Sequence, residues 1–270
     1  MTLTTRLRLR TDQIVSYLDQ GTGSPLILIH GVGMQHQAWS PQIEAFSQTH
    51  RVIAIDLPGH GESTPLEKGS ELPDFVQWLH DFIIALNCGP ANIAGHSMGA
   101  LIAGGYVSEH PESVNRVALL NGVYKRTETA QKAVLTRADE IANGGIDLKG
   151  PLARWFTESP TDLIAKEKTE RWLSQMNQQS YAITYRAFAR GDATYTDSWE
   201  KVKCPALFLT GDGDPNSTPE MSRTMAEQAP RGHLCIIKGH KHMANLTAAD
   251  TVNDALTDWL NQPVCHHRSS

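Results

Sequence analysis

The chain has 270 residues, and its 24 lysines and arginines against 29 aspartates and glutamates give a formal net charge of only −5. A charge so close to balance offers no basic surface for nucleic acid or for an anionic membrane. The sequence has no apolar run of about 20 residues, the length that crosses a bilayer, and it opens without an apolar signal core. We therefore expect a cytoplasmic protein with neither a nucleic-acid nor a membrane partner.

The apolar segments near the start of the chain predict the first strands of a sheet. Residues 14–18 predict an antiparallel edge strand, and the run Leu26-Ile27-Leu28-Ile29 predicts a strand that is buried on both faces. This second run leads into His30-Gly31-Val32-Gly33, a glycine-rich loop at the carboxyl end of the strand.

The next predicted strand, residues 51–55, is followed by the turn sequence Asp56-Leu57-Pro58-Gly59-His60-Gly61-Glu62-Ser63. Glycines permit the backbone conformations that a crowded turn requires. We interpret Asp56 and His60 as residues that support this turn rather than as catalytic groups.

The run Gly95-His96-Ser97-Met98-Gly99 stands between a short apolar strand, residues 91–94, and a helix of small residues that begins at Ser97. Glycines two positions before and after the serine leave room for a sharp strand-to-helix turn that exposes Ser97 Oγ. The start of the helix would direct the N–H of Met98 toward a developing oxyanion. Alone, the pattern also fits an ordinary turn in which the serine caps a helix.

Helical patterns alternate with the strands, which predicts a mainly parallel sheet covered on both faces. Helices are predicted over residues 40–49 and 71–87, and a further strand over residues 114–120. From Asn121 to about Ser198 the strand pattern stops, and helical segments follow one another with breaks at glycine and proline.

Two further strands in the last third of the chain lead into candidate catalytic residues. Residues 206–210 are followed by Gly211-Asp212-Gly213-Asp214, and residues 233–238 by Gly239-His240-Lys241-His242. Open α/β sheets place functional groups at the carboxyl ends of their strands. One aspartate and one histidine from these segments would complete a Ser-His-Asp constellation, in which the histidine takes the serine proton and the aspartate orients the imidazole.

With these motifs in this order, the chain resembles the α/β-hydrolase family from about Leu26 to Leu260. The resemblance implies an α/β fold with a mostly parallel, doubly wound sheet and an inserted helical cap. The implied organisation has four parts: the first part of the core, 1–123; a cap insertion, 124–197; the second part of the core, 198–262; and a flexible tail, 263–270.

Within that family, three segments are most similar to 3-oxoadipate enol-lactonase-type hydrolases and small carboxylesterases. They are Ile29-His30-Gly31-Val32-Gly33 with Trp39 beyond it, Leu152-Ala153-Arg154-Trp155-Phe156, and Met243-Ala244-Asn245-Leu246. His96 stands where many lactonases of that group carry leucine.

The resemblance implies Ser97 as the nucleophile. The family pattern Gly-x-x-Asp, with a proline a few residues later, selects Asp214 over Asp212 as the orienting acid. The sequence Met-Ala-Asn-Leu that follows the second histidine favours His242 over His240 as the base.

The same resemblance implies an oxyanion hole made by the backbone N–H groups of Val32 and Met98, with Gly33 as the alternative to Val32. His30 would order this loop rather than act as a base.

Gly33 and Trp155 are the residues that we expect to line the substrate pocket. The cations Lys125, Arg126 and Arg154 could bind a substrate carboxylate, although exposed cap cations are more often only solvated.

No cofactor and no metal are expected. His240 with His242, or the pair His266-His267, could bind a metal, but no third ligand is suitably spaced. The cysteines form no Cys-x-x-Cys pair, so no disulfide framework is predicted for Cys88, Cys204, Cys235 and Cys265.

The leading functional hypothesis is a cofactor-independent serine hydrolase that cleaves a small carboxylic ester or lactone through an acyl-enzyme. The alternatives are hydrolysis of a carbon–carbon bond in a ring-cleavage product and hydrolysis of an amide. The loop has Met34-Gln35 where the carbon–carbon hydrolases typically continue with Pro-Gly. A non-enzymatic alternative is a ligand receptor or regulator that keeps the triad and uses the pocket for binding.

Overall fold

The computed structural model describes residues 4–145 and 147–264. The strands of these residues are β1 (Thr5–Arg8), β2 (Ile14–Gln20), β3 (Pro25–Ile29), β4 (Arg51–Ile55), β5 (Ala91–His96), β6 (Val114–Leu120), β7 (Ala206–Gly211) and β8 (Gly232–Ile237). The helices are α1 (Ser40–Phe46), α2 (Leu72–Leu86), α3 (Met98–Glu109), α4 (Glu128–Ala142), α5 (Lys149–Trp155), α6 (Pro160–Ser174), α7 (Gln178–Gly191), α8 (Pro219–Gln228), α9 (Ala244–Thr247) and α10 (Ala249–Leu260). The predicted tail falls mostly outside the described residues, as do Cys265, His266 and His267.

The strands of the described residues pair into one eight-stranded sheet in the order β1-β2-β4-β3-β5-β6-β7-β8. β1 pairs with β2, and β2 with β4, in antiparallel fashion, whereas every pair from β4 to β8 is parallel. The predicted mostly parallel, doubly wound sheet is therefore confirmed. The carboxyl ends of the parallel strands meet at one edge, which is where such sheets place functional groups.

Helices cover both faces of this sheet because alternate strand residues point to opposite sides. On one face, the buried residues of α1 and α10 pack against the sheet. On the other face, the packing residues come from α2, α3 and α8. α3 is buried nearly all round, which explains why its sequence consists of small and apolar residues.

Three predicted helices have other bounds in the structure. The helix expected over residues 71–87 spans Leu72–Leu86, with Glu71 and Asn87 as its caps. The helix expected over residues 40–49 ends at Phe46. The nucleophile helix begins at Met98 instead of Ser97, because Ser97 adopts a φ of 55° and a ψ of −112°, outside the helical range.

The helices α4 to α7 lie between β6 and β7, and we call residues 124–197 the cap. α4 packs against α7, and α7 also contacts α2 and α3 of the core. The limits of the cap at residues 124 and 197 stay a prediction. Within the described residues, no helix combines the length and the apolar character that a membrane span requires.

Candidate active site

The turn between β5 and α3 holds Ser97 at the carboxyl edge of the sheet. Its positive φ of 55° is a strained conformation for a residue with a side chain, with a typical cost of about 1–3 kcal/mol. Both flanking glycines are required by space: a Cβ on Gly95 would lie 2.0 Å from the carbonyl oxygen of Gly99, and one on Gly99 would lie 2.1 Å from the carbonyl oxygen of Ile29. The surrounding backbone thus maintains the strain that presents the serine.

The structure brings Asp214 and His242 into contact at the same edge. His242 Nδ1 lies 2.8 Å from Asp214 Oδ2, and both side chains are buried. Since the carboxylate only accepts hydrogen bonds, Nδ1 carries the proton and Nε2 keeps its lone pair, as a general base requires.

The alternatives that the sequence left open have other partners. His240 Nδ1 lies 2.9 Å from Thr247 Oγ1, and Asp212 Oδ1 accepts the N–H of Gly239. These contacts order the loop after β8 and leave Asp214 as the partner of the second histidine.

Asn121, which the sequence analysis did not select, supports Asp214. It directly follows β6, and its side-chain amide donates a 2.8 Å hydrogen bond to Asp214 Oδ2. The other carboxylate oxygen accepts the backbone N–H groups of Asn216 and Ser217. Burial alone would raise the pKa of Asp214, but the facing imidazole and these donors hold it below its usual range.

His96 connects the serine turn to the histidine loop. Its Nε2 donates a 2.8 Å hydrogen bond to the backbone carbonyl of His242, and full burial lowers the pKa of His96 to about 3. A neutral imidazole therefore fixes the loop beside Ser97. Among the hydrogen bonds of the described residues there is none between Ser97 and His242, although both line one cavity; such bonds are often long without substrate and shorten when it binds.

The loop after β3 distinguishes the two candidate oxyanion donors. The N–H of Gly33 donates to His60 Nε2 at 2.9 Å, while His60 Nδ1 donates to the carbonyl of Pro58. The N–H of Gly33 is thus already engaged in a hydrogen bond within the loop. Among the described residues, no acceptor is found for the N–H of Val32 or Met98, and both residues are buried beside the turn.

The neighbouring side chains of this loop have structural contacts. His30 Nε2 accepts the N–H of Leu57, and burial lowers the pKa of His30 to about 3. Asp56 accepts hydrogen bonds from Ser16 Oγ and from the N–H of His36. These contacts match the supporting role that the sequence predicted for the turn.

A cavity of about 720 Å³ lies between this edge of the sheet and the cap. Ser97 and His242 line it from the core, and one face of α4 lines it from the cap. Its aromatic lining consists of Trp155, Tyr181, Tyr185 and Phe188. The ring of Trp155 lies 5.4 Å from that of His242, between centroids.

Gly33 is placed differently from the prediction that it lines the pocket. It is not among the described residues that line this cavity. Its φ is +80°, and a Cβ there would lie 2.4 Å from Leu173 Cδ2, so the glycine allows close contact between the loop and the cap.

Cations dominate the charged lining of the cavity. Among the described residues it contains three arginines and one glutamate: Arg126, Arg137, Arg154 and Glu140. The side chain of Arg126 is only 4% exposed, contrary to the expectation of a solvated surface cation, and Arg154 is exposed as expected. Lys125 lies outside the lining and pairs with Asp197.

Arg137, which was not predicted from the sequence, lies on the face of α4 that points to the cavity. Its spacing of three and four residues from Val134 and Ala133 is the signal that could have identified it. Within the described residues, no group of three His, Cys, Asp or Glu side chains is arranged to hold a metal ion.

Comparison with known proteins supports this architecture. Residues 24–249 match the family model described as the alpha/beta hydrolase fold. The chain is 50% identical to the (E)-2-((N-methylformamido)methylene)succinate hydrolase of Acinetobacter baylyi, over 94% of this chain and 97% of that protein. It is 28% identical to 3-oxoadipate enol-lactonase 1 of the same organism, over 82% of each chain.

Solved structures show the same fold. The enol-lactonase of Burkholderia xenovorans superposes with a TM-score of 0.85 at 22% identity, covering 96% of this chain and 100% of that one. A thermophilic esterase of Thermogutta terrifontis superposes with a TM-score of 0.87 at 22% identity, covering 96% and 98%. The resemblance that the motifs indicated is confirmed: this chain belongs to the α/β-hydrolase family and is a hydrolase.

Proposed function

We propose that this chain hydrolyses the amide bond of a dicarboxylate of the 2-(amidomethylene)succinate class, with Ser97, His242 and Asp214 as its triad. The single observation that carries the proposal is the cavity, whose lining combines Ser97 and His242 with arginines on its cap side. A guanidinium stays protonated at neutral pH and pairs well with carboxylates. A site for small neutral esters has no use for such a lining.

The similarity to the Acinetobacter baylyi hydrolase supports the same conclusion, because the substrate in the name of that enzyme contains two carboxylates and one formamide. The leading hypothesis from the sequence was an ester or lactone substrate. These findings instead favour the alternatives that the sequence left open, hydrolysis of a carbon–carbon bond in a ring-cleavage product or of an amide. We infer the amide as the bond that breaks, since its carbonyl carbon is the acyl group that a serine attacks.

In the first half of the reaction, Ser97 Oγ attacks the formyl carbon while His242 Nε2 takes the hydroxyl proton. Asp214 stabilises the imidazolium that forms. The carbonyl electron pair moves onto oxygen, and the N–H groups of Val32 and Met98 donate to that oxyanion. Gly33 does not take part, because its amide is bonded to His60.

In the second half, the carbon–nitrogen bond breaks, and its electron pair goes to the nitrogen, where the adjacent double bond delocalises it. His242 returns the proton to the departing nitrogen, which leaves a formyl ester on Ser97. Water, deprotonated by the same imidazole, then releases formate and the free serine. One water is consumed, and the products are formate and an aminomethylene succinate.

A second candidate is hydrolysis of an enol-lactone, favoured by the 28% identity to 3-oxoadipate enol-lactonase 1. It would use the same triad and oxyanion donors. The two candidates differ in the acyl group and in the products, so they can be separated by assay.

The test measures kcat/KM for (E)-2-((N-methylformamido)methylene)succinate, for 3-oxoadipate enol-lactone and for p-nitrophenyl acetate, with formate followed by a coupled dehydrogenase. We expect the amide to be preferred by a factor on the order of a hundred or more, with stoichiometric formate. The Ser97→Ala variant, which serves as the control, should release no formate. A preference for the lactone or the aryl ester, without formate from the amide, would refute the proposal.

A further inference from the structure

Arg126 is the buried member of the cavity's arginines. It precedes α4, and its side chain is only 4% exposed. Its guanidinium lies over the ring of Phe188, with 4.5 Å between Cζ and the ring centroid. Nη1 lies 3.0 Å from Asp192 Oδ1 in an ion pair and 3.4 Å from the carbonyl oxygen of Phe188.

The second terminal nitrogen, Nη2, is buried and has no hydrogen-bond partner among the described residues. Buried donors of this kind are rare in folded proteins, because a charged N–H removed from water is costly when no acceptor replaces the water. Arg126 also lines the cavity that contains Ser97 and His242. A charged donor without an acceptor therefore belongs to a residue of the cavity wall.

The other two cavity arginines differ from Arg126 in how they are held. Arg154 is exposed. Arg137 donates through Nη2 to the backbone carbonyl of Asp147 and is partly exposed. Arg137 Nε is, like Arg126 Nη2, a buried donor without a hydrogen-bond partner among the described residues, and both guanidinium groups act electrostatically on the hydroxyl of Tyr185. Arg126 differs from Arg137 in its deeper burial and in the ring of Phe188 beneath it.

Asp192 fixes the position of Arg126 from two directions. Its Oδ2 accepts the backbone N–H of Arg126 at 2.7 Å, and its backbone carbonyl accepts the N–H of Lys125 at 3.1 Å. These residues stand where the chain enters the cap, and Asp192 stands where α7 ends. The guanidinium is thus oriented before any ligand binds, which reduces the entropy that binding would cost.

We propose that Arg126 is a carboxylate-binding residue of this cavity, with Nη2 as the donor to one carboxylate of the substrate and Asp192 as the residue that positions it. The inference rests on the proposed function, and it identifies which cation distinguishes a dicarboxylate from a neutral ester. Asp192 neutralises Arg126 in the absence of ligand, and the incoming carboxylate supplies the acceptor that Nη2 lacks.

The test uses p-nitrophenyl acetate as a neutral reporter substrate and succinate as a competitive inhibitor. Arg126→Met should raise the inhibition constant of succinate at least about tenfold, the usual effect of losing one charged hydrogen bond, with inhibition measured against the uninhibited ester turnover of the same variant. The matched control is Arg190→Met, which removes an exposed cap arginine that pairs with Glu71 away from the cavity. Inhibition of this control should be unchanged.

Arg126→Lys separates the ligand donor from the contact with Asp192 if the methionine variant does not fold. A lysine can keep the ion pair with Asp192 but lacks the second nitrogen of the fork. We expect succinate inhibition to weaken at least about tenfold here too. Inhibition of equal strength in the unmodified enzyme and in the Arg126→Lys variant would overturn the role of Nη2.

The outcomes also separate this inference from the proposed function. If succinate inhibits the unmodified enzyme and the Arg126 variants alike, the assignment of Arg126 is wrong while a dicarboxylate substrate stands. If succinate does not inhibit the unmodified enzyme at up to high millimolar concentration and the amide is not turned over, both proposals are wrong.

Discussion

His60 Nε2 accepts a hydrogen bond from the backbone N–H of Gly33, with 2.9 Å between the two nitrogens. Because His60 Nδ1 donates to the carbonyl of Pro58, the imidazole is held in the tautomer that can only accept at Nε2. Burial lowers the pKa of His60 to about 4, so this arrangement persists near neutral pH. The loop therefore uses the amide of Gly33 for its own structure, whereas the preceding amide, that of Val32, has no acceptor among the described residues.

Replacement of this imidazole should destabilise the loop. His60→Ala leaves the buried N–H of Gly33 without an acceptor, which should lower the free energy of unfolding by about 1–3 kcal/mol. Urea unfolding measures this loss. His60→Gln is the matched variant, since its side-chain oxygen can restore an acceptor and should recover part of the stability. Equal stability of His60→Ala and the unmodified protein would contradict the role of this contact.

The two histidines of the loop after β8 should differ sharply in their effect on turnover. His242→Ala removes the base and should lower kcat on the order of a thousandfold or more. His240→Ala removes only the contact to Thr247 and should cost less than about tenfold. Both variants are assayed on p-nitrophenyl acetate after circular dichroism confirms their folds. A larger loss of kcat in His240→Ala than in His242→Ala would make His240 the base and His242 the residue that orders the loop.

Asn121 should influence kcat more than KM. Asn121→Ala removes the donor to Asp214 Oδ2, which raises the pKa of Asp214 and removes one of the contacts that orient its carboxylate. We expect kcat to fall on the order of ten- to a hundredfold, with KM nearly unchanged, because the substrate does not contact this amide. Asn115→Ala is the control, because Asn115 lies on the strand that Asn121 follows but donates to the carbonyl of Pro90. Equal kcat values for the two variants would show that Asn121 does not position the triad.

Trp155 should govern substrate choice from the cap side. Its ring lies 5.4 Å from that of His242, so Trp155→Ala enlarges the cavity next to the reacting bond. The ratio of kcat/KM between the amide and p-nitrophenyl acetate should change by about tenfold or more. Trp172→Ala, which alters a cap tryptophan outside the cavity lining, should leave that ratio as it is. If this ratio is unchanged in both variants, Trp155 is only a packing residue of the cap.

The protein should lose stability on acidification at pH values well above those at which carboxylates titrate. Burial lowers the pKa of His30 to about 3, of His60 to about 4 and of His96 to about 3. These rings stay neutral when folded but bind protons below about pH 6.5 in the unfolded chain. The free energy of unfolding should therefore decrease as the pH falls from about 6.5 to about 4, by up to about 1.4 kcal/mol per pH unit for each ring.

Urea unfolding at several values between pH 7 and pH 5 measures this slope. His233→Gln, which changes an exposed histidine, should leave it unaltered. Stability that is constant over this interval would mean that the three buried rings are not neutral in the folded protein.

The sheet could be predicted from the sequence because its signal is local. The strands predicted over residues 51–55 and 114–120 coincide with β4 and β6, and the other predicted strands differ from the observed ones by only one or two residues at an end. Central strands of a parallel sheet are buried on both faces, so their sequences are continuous runs of apolar residues. The serine turn was recognisable for a similar reason, since Gly95 and Gly99 are imposed by backbone contacts on each side of Ser97.

The features that the sequence did not predict depend on contacts between distant segments. Asn121 supports Asp214 only because β6 and β7 are neighbours in the sheet. Arg126 was expected on the surface, and it is buried because Asp192 and Phe188, more than sixty residues later, cover it. The choice between Val32 and Gly33 depended on the orientation of the His60 ring, which no pattern of residue types encodes.

The two ends of the cap are joined at one place. The N–H of Lys125 donates to the carbonyl of Asp192, and Tyr124 Oη donates to the carbonyl of Thr196. A segment that departs and returns at adjacent points can change in length and sequence without moving the strands on either side. Evolution can thus revise what the enzyme recognises while the bond-breaking groups stay as they are. We expect a cap transplanted from a relative onto this sheet, with these joining contacts kept, to bring that relative's substrate preference with it.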